Sequence, residues 1–194
     1  MTTTITTPEA SVANTGTSAS AASTPVAPVD QNQAARLSSE QVWRALAKAS
    51  FAVISYVTPA GAPRSSGVVY TIVGRRMYVA VAPTSWKARQ IAVRGQVSVT
   101  VPVRRGGILA LLLPIPPATI SFRGTATVYP AGSTANGALM EARARLDPMM
   151  PPERRAVATI IEIAPEGRFL TFGVGIPLMQ MRNPAAASAR VPVS

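Results

Sequence analysis

The chain has 194 residues, 47% of them hydrophobic, and a formal net charge of +11. It contains no Cys and no His, which excludes disulfides, thiolate catalysis and imidazole ligation of zinc or haem, so any redox chemistry must come from a bound organic cofactor. The charge invites a nucleic-acid or anionic-membrane surface, but seventeen of the nineteen cations are Arg and the tightest groups are the pairs Arg75-Arg76, Arg104-Arg105 and Arg154-Arg155, a dispersal that argues against nucleic acid.

Residues 1–36 are almost entirely Thr, Ser, Ala and Pro, with Glu9, Asp30 and Arg36 the only charges. Such a composition buries too little apolar surface to offset the entropy of ordering, and the segment is expected to be a disordered tail. It lacks the basic and apolar regions of a secretory signal, and no later segment supplies the ~20 apolar residues of a membrane span, so a cytoplasmic protein is expected.

The folded part opens at Ser38, whose spacing to Gln41 is that of a capping box. A helix follows to about Ala49, with an apolar stripe of Val42, Ala45, Leu46 and Ala49 and with Trp43 beside it as a core residue. Residues 51–58 and 65–73 are β-branched and aromatic and flank the turn cluster Pro59-Ala60-Gly61-Ala62-Pro63; Gly74 reverses the chain into a strand over 77–81. A short helix over 85–93 has Thr84 or Ser85 as its cap and Gly95 as its stop. Val97, Val99, Val101 and Val103 then alternate with Ser98 and Thr100, placing four valines on one face of a strand.

The run 108–117, rich in Leu and Ile and broken by three prolines, is an irregular apolar segment that a dimer partner, a cofactor or a membrane surface must cover. A strand is expected over 118–130, a helix over 135–146 capped by Ser133 or Thr134 and ended by Asp147-Pro148, and a linker over 149–152. Residues 156–163 and 169–174, divided by Pro165-Glu166-Gly167, read as a closing hairpin, and residues 177–194 as a tail without a clear element. Six to seven strands with two to three short helices predict a mainly β chain, an antiparallel barrel with helical plugs, over residues 37–176.

One charge is misplaced. Lys87 and Arg89 stand in the first turns of the helix over 85–93, where the positive end of the helix dipole disfavours cations by roughly 0.3 to 1 kcal/mol. Free amides, a Ser or Thr hydroxyl and a lysine make a phosphate site; a solvated basic helix face is the alternative.

The order of a strand, a P-x-G-x-P turn, a strand with Arg64-Ser65-Ser66, a glycine hairpin, a strand, Thr84-Ser85-x-Lys87 and a valine strand resembles the pyridoxamine 5'-phosphate oxidase-like superfamily of flavin-binding split β-barrels, over roughly residues 37–174. The resemblance implies that Lys87, with Thr84 and Ser85, meets the phosphate of FMN or of an 8-hydroxy-5-deazaflavin coenzyme. It implies further that Arg64, Ser65 and Ser66 contact the phosphate and the flavin ring. It also implies a homodimer with the cofactor at the subunit interface, and an oxidoreductase that transfers hydride to or from a small organic substrate. True pyridoxamine phosphate oxidases carry an Arg-x-His element near the C-terminus; this chain offers Met181-Arg182-Asn183-Pro184, which argues against vitamin B6 oxidation, and the lack of His argues against the haem-binding branch. A non-catalytic flavin carrier is the second reading, a basic nucleic-acid or membrane-surface binder the third.

Overall fold

A computed structural model describes residues 37–104, 117–177, 181 and 183–194. The expected N-terminal tail and most of the apolar run 108–117 lie outside them.

Seven strands are present among these residues: β1 (Phe51–Val57), β2 (Pro63–Val73), β3 (Arg76–Val81), β4 (Gln96–Val103), β5 (Ala118–Tyr129), β6 (Thr159–Phe172) and β7 (Ser188–Pro192). All neighbours pair antiparallel in the order β3-β2-β1-β4-β5-β6-β7, and β3 also pairs with β6, so β1 to β6 close into a barrel with β7 added. β6 divides its free edge between two partners: its first residues pair with β3 and its last with β7, while β5 runs along its other side. Closure removes the unpaired edges that an open sheet of this length would expose.

That division corrects two expectations. Pro165-Glu166-Gly167 is not a hairpin turn but an irregularity inside one continuous strand, where the register with β5 shifts between Ser121 and Arg123. Gly167 takes a positive φ of 70°, as a bulge of this kind requires, and Pro165 faces Gly124. Gly124 must be glycine, since a Cβ there would lie 2.5 Å from the Ala164 carbonyl oxygen. Within 177–194, where the sequence shows no element, a helical turn α5 (Pro184–Ala187) and β7 form, because β3 pairs only with the start of β6 and leaves the edge of its C-terminal half for the segment that follows it.

Three longer helices cover the barrel: α1 (Ser39–Lys48), α2 (Trp86–Arg94) and α3 (Gly137–Leu146). A single turn, α4 (Pro152–Arg155), occupies part of the expected linker. α1 starts with the expected capping box: the Gln41 amide donates to Ser38 Oγ at 3.2 Å and the Ser38 amide to Gln41 Oε1 at 2.8 Å. α3 is capped by Asn136 rather than by Ser133 or Thr134, because the Asn136 side-chain oxygen accepts the Leu139 amide at 2.7 Å, one helical turn closer to the apolar face.

The barrel interior holds Ala52, Ile54 and Tyr56 from β1 and Val97, Val99 and Val101 from β4, with Val103 only partly buried at the end of its strand. Trp43 plugs one end, its ring edge-on to Phe169 at 5.2 Å, and Phe169 is edge-on to Phe122 at 5.6 Å. Its indole N–H donates to the Val193 carbonyl at 3.0 Å, as does Ser39 Oγ, so α1 is tied to the C-terminal strand. A second cluster, of Val73, Tyr78, Leu139, Ala142, Leu146 and Ile160, seats α3 on the outside.

The seam between β3 and β6 carries Glu162, the buried carboxylate among the described residues, opposite Tyr78 and paired with Arg76. Burial, and then the Glu162 charge, push the Tyr78 hydroxyl up to about 12. Burial also raises Tyr70, whose hydroxyl donates to the Leu46 carbonyl at 2.6 Å. An unfolded phenol titrates near ~10, so the stability these neutral hydroxyls contribute is fully present below that pH and is lost as pH rises through the folded values. Alkaline titration is therefore expected to lower the stability of the protein as pH rises above about 10, with the Tyr70 and Tyr78 phenolates appearing later than an unfolded phenol or together with loss of the folded signal. Phenolate forming at its ordinary pH for every tyrosine in an intact barrel would contradict this assignment.

Candidate functional site

The P-x-G-x-P turn brings β2 back along β1 in a register that sets Arg64 opposite Tyr56 and Ser65 opposite Ser55. The serine hydroxyls are 2.8 Å apart. Ser55 faces Ser98 on β4, and Ser98 faces Arg123 on β5, so one polar row, Ser65, Ser55, Ser98 and Arg123, crosses four strands on the outward face. In the next row Thr100 Oγ1 and Ser121 Oγ are 3.0 Å apart. The alternation that buries the valines of β4 is what turns these hydroxyls outward.

Beside this row a cavity of about 620 Å³ is lined by Ser55, Tyr56, Arg64, Ser65, Ser98 and the α2 C-terminal residue Arg94, among others. Arg94 Nη2 donates to the Pro59 carbonyl at 3.0 Å, which ties α2 to the β1–β2 turn. Gly95, with φ 65°, ends α2; its amide donates to Ile91 and its carbonyl accepts from Ala126, which anchors the helix to β5. The helix therefore lies with its first residue, Trp86, against the site: Tyr56 meets the Trp86 ring edge-on at 6.0 Å, and the Arg64 guanidinium stands 5.7 Å from the Trp86 ring centroid. That geometry is a cation–π contact, which holds Arg64 at the helix N-terminus without consuming its N–H donors.

Of the six residues singled out in the sequence, Arg64 and Ser65 line the cavity. Ser66 does not: one residue on, it shares the inward face with Val68 and Tyr70 and is half-buried. Thr84 is exposed, Ser85 is the α2 N-cap residue but makes no side-chain cap bond, and Lys87 is half-buried in the first turn. None of these three lines the cavity; they flank Trp86, whose ring meets Arg64. Arg64 and Lys87 have no carboxylate partner among the described residues. Ser55, Ser98, Tyr56, Trp86 and Arg94 belong to the same site and were not legible as such, because strand register and helix placement bring them together. The Tyr56 hydroxyl, at the cavity wall, is buried and has no hydrogen-bond partner among the described residues. Among the described residues no group of acidic side chains is disposed to hold a metal, and no helix is long and apolar enough to cross a membrane.

No protein family and no curated protein matches this chain by sequence. Solved structures do match in fold. HutZ, the heme storage protein of Vibrio cholerae, superposes with a TM-score of 0.54 at 13% identity, over 70% of this chain and 94% of that one. A FAD-binding protein from Mesorhizobium loti gives 0.53 at 15% identity, over 67% and 89%. A heme binding protein from Mycobacterium smegmatis gives 0.52 at 17% identity, over 70% of this chain and 53% of that one. With its closed antiparallel barrel, its helix after the third strand and these likenesses, the chain has the pyridoxamine 5'-phosphate oxidase-like split β-barrel fold.

Proposed function

We propose that this chain binds FMN or an 8-hydroxy-5-deazaflavin coenzyme and acts as an oxidoreductase on a small organic substrate. The observation that supports this most is the meeting of Arg64, which has no carboxylate partner among the described residues, with the α2 N-terminus at Trp86, next to a serine-lined cavity. In this reading Lys87, Thr84, Ser85 and the free amides of the first turn of α2 hold the phosphate, and Arg64 adds a second positive charge. Ser55, Ser65 and Ser98 offer hydroxyls to the polar edge of the ring system, and the unpartnered Tyr56 O–H supplies a further donor. A bound flavin or deazaflavin would supply the two-electron hydride chemistry that the side chains cannot.

Similar folds are named for heme as well as for FAD. The chain has no His and no Cys, the side chains that most often hold haem iron, whereas phosphate-binding cations and hydroxyls are present. A homodimer with the cofactor at its subunit interface and a cytoplasmic location complete the proposal. One observation favours the second reading, a carrier without turnover: among the described residues the cavity walls hold serines, arginines and a tyrosine but no carboxylate to move a proton.

Titration of the full chain with each cofactor tests the proposal. Lys87→Ala and Arg64→Ala are each expected to weaken binding about 10- to 100-fold, the loss of one charge-assisted hydrogen bond. Unchanged affinity for both cofactors in both variants would defeat the assignment. Consumption of the reduced cofactor by candidate substrates would separate the enzyme from the carrier.

A further inference from the structure

A separate cavity, of about 950 Å³, lies elsewhere on the barrel. It opens where α1 passes the start of β1 and the end of β4, lined there by Phe51 and Val103, whereas the serine-lined cavity takes Tyr56 and Ser98 near the other ends of the same strands. The two ends of seven-residue β1 are about 20 Å apart.

Among the described residues three cations line this cavity, Arg44 and Lys48 from α1 and Arg104 just beyond β4, and no carboxylate does. None of the three is ion-paired among the described residues. Glu40 stands four residues before Arg44, at the spacing where helices form ion pairs, yet it is bonded to Arg75 at 3.1 Å. Arg44 and Lys48 are themselves four apart, where like charges on a helix destabilise one another. An anion between them would relieve that repulsion. The floor is apolar and well supported: Ala45, Ala49 and Val103 pack on the main core, and Phe51 leaves 47% of its surface exposed. The volume lies within the range of small-molecule sites.

We propose that this cavity binds one small anionic amphiphile, an alkyl carboxylate or alkyl phosphate, with its head between Arg44, Lys48 and Arg104 and its chain on the apolar floor. The complementarity is one of charge and of shape: an inorganic anion would leave the floor wet, and a neutral hydrocarbon would leave three cations uncompensated. The site is independent of the flavin proposal, and its test stands whether or not the chain binds FMN.

Calorimetric titration of the full chain with decanoate and with decyl phosphate, both kept below micellar concentrations, is expected to show one equivalent bound, and decyltrimethylammonium none. The exposed double variant Arg44→Gln/Lys48→Gln is expected to lose about 10-fold or more in affinity for both anions, and Arg104→Gln, from the opposite wall, a smaller but measurable part. Arg64→Ala, at the other cavity, should change nothing in this assay. Melting curves check that the variants remain folded. Absence of saturable binding, equal affinity for the cationic amphiphile, or unchanged affinity in both cavity variants overturns the proposal. Binding to anionic vesicles without binding of the monomeric anions would overturn it too, by making the patch a membrane surface.

Discussion

Trp43→Ala is expected to destabilise the barrel by about 3 to 5 kcal/mol, the range for removing a buried aromatic side chain. The indole is 4% exposed, closes one end of the core and stacks edge-on against Phe169, which in turn meets Phe122. Its loss leaves a cavity that rigid strands on all sides cannot collapse into. It also removes one of the two donors to the Val193 carbonyl, through which α1 holds the C-terminal segment. The damage should therefore be directional: amide exchange in β7 should accelerate more than in β2 or β3. Trp43→Phe, which keeps most of the volume and loses the N–H, should cost only about 1 to 2 kcal/mol. Denaturant midpoints at constant slope provide the measurement. An alanine variant within 1 kcal/mol of the parent would show that α1 is not the plug its packing makes it.

Arg76→Met is expected to cost about 3 kcal/mol at neutral pH, and more than the reciprocal change Glu162→Gln. The pair is asymmetric: the Glu162 side chain is 6% exposed and the Arg76 side chain 51%. Removing the arginine leaves a buried carboxylate without its counter-charge, whereas removing the carboxylate leaves a guanidinium that water already solvates. The double variant should recover most of the loss, since replacing both partners of a buried pair is often nearly neutral. A thermodynamic cycle over the four proteins reads this directly. Equal losses for the two single variants would mean that desolvation of Glu162 is not the controlling quantity, and that the β3–β6 seam is held by its backbone ladder and apolar neighbours alone.

The features legible in the sequence were local ones. The capping box at Ser38 and Gln41, the alternating valines of β4, the turn between β1 and β2 and the stop at Gly95 each need only a few neighbouring residues, and each is in place. The misreadings were also local in origin. Pro165-Glu166-Gly167 has the composition of a turn, and nothing within a few residues of it reports that β5 is long enough to hold β6 straight across a bulge. Asn136 displaced the earlier caps because helix registry, set by burying Leu139, Ala142 and Leu146, decides which residue stands at the N-terminus.

Composition and short-range pattern by themselves determined the mainly β character, the exclusion of imidazole and thiolate chemistry, and Thr84, Ser85 and Lys87 as candidate residues, whereas Arg64, Ser65 and Ser66 came from the family resemblance. Tertiary structure alone decided that Ser55, Ser65, Ser98 and Arg123 form one row and that Trp86, at the start of α2, meets Arg64. The physical reason is the two-residue period of a strand: its face depends on parity, which is written locally, but its neighbours depend on register, which is set by turns and bulges many residues away. The unpaired cations of α1 show the same limit, because Glu40 had the spacing to neutralise Arg44 and only the approach of Arg75 from the β2–β3 turn drew it elsewhere.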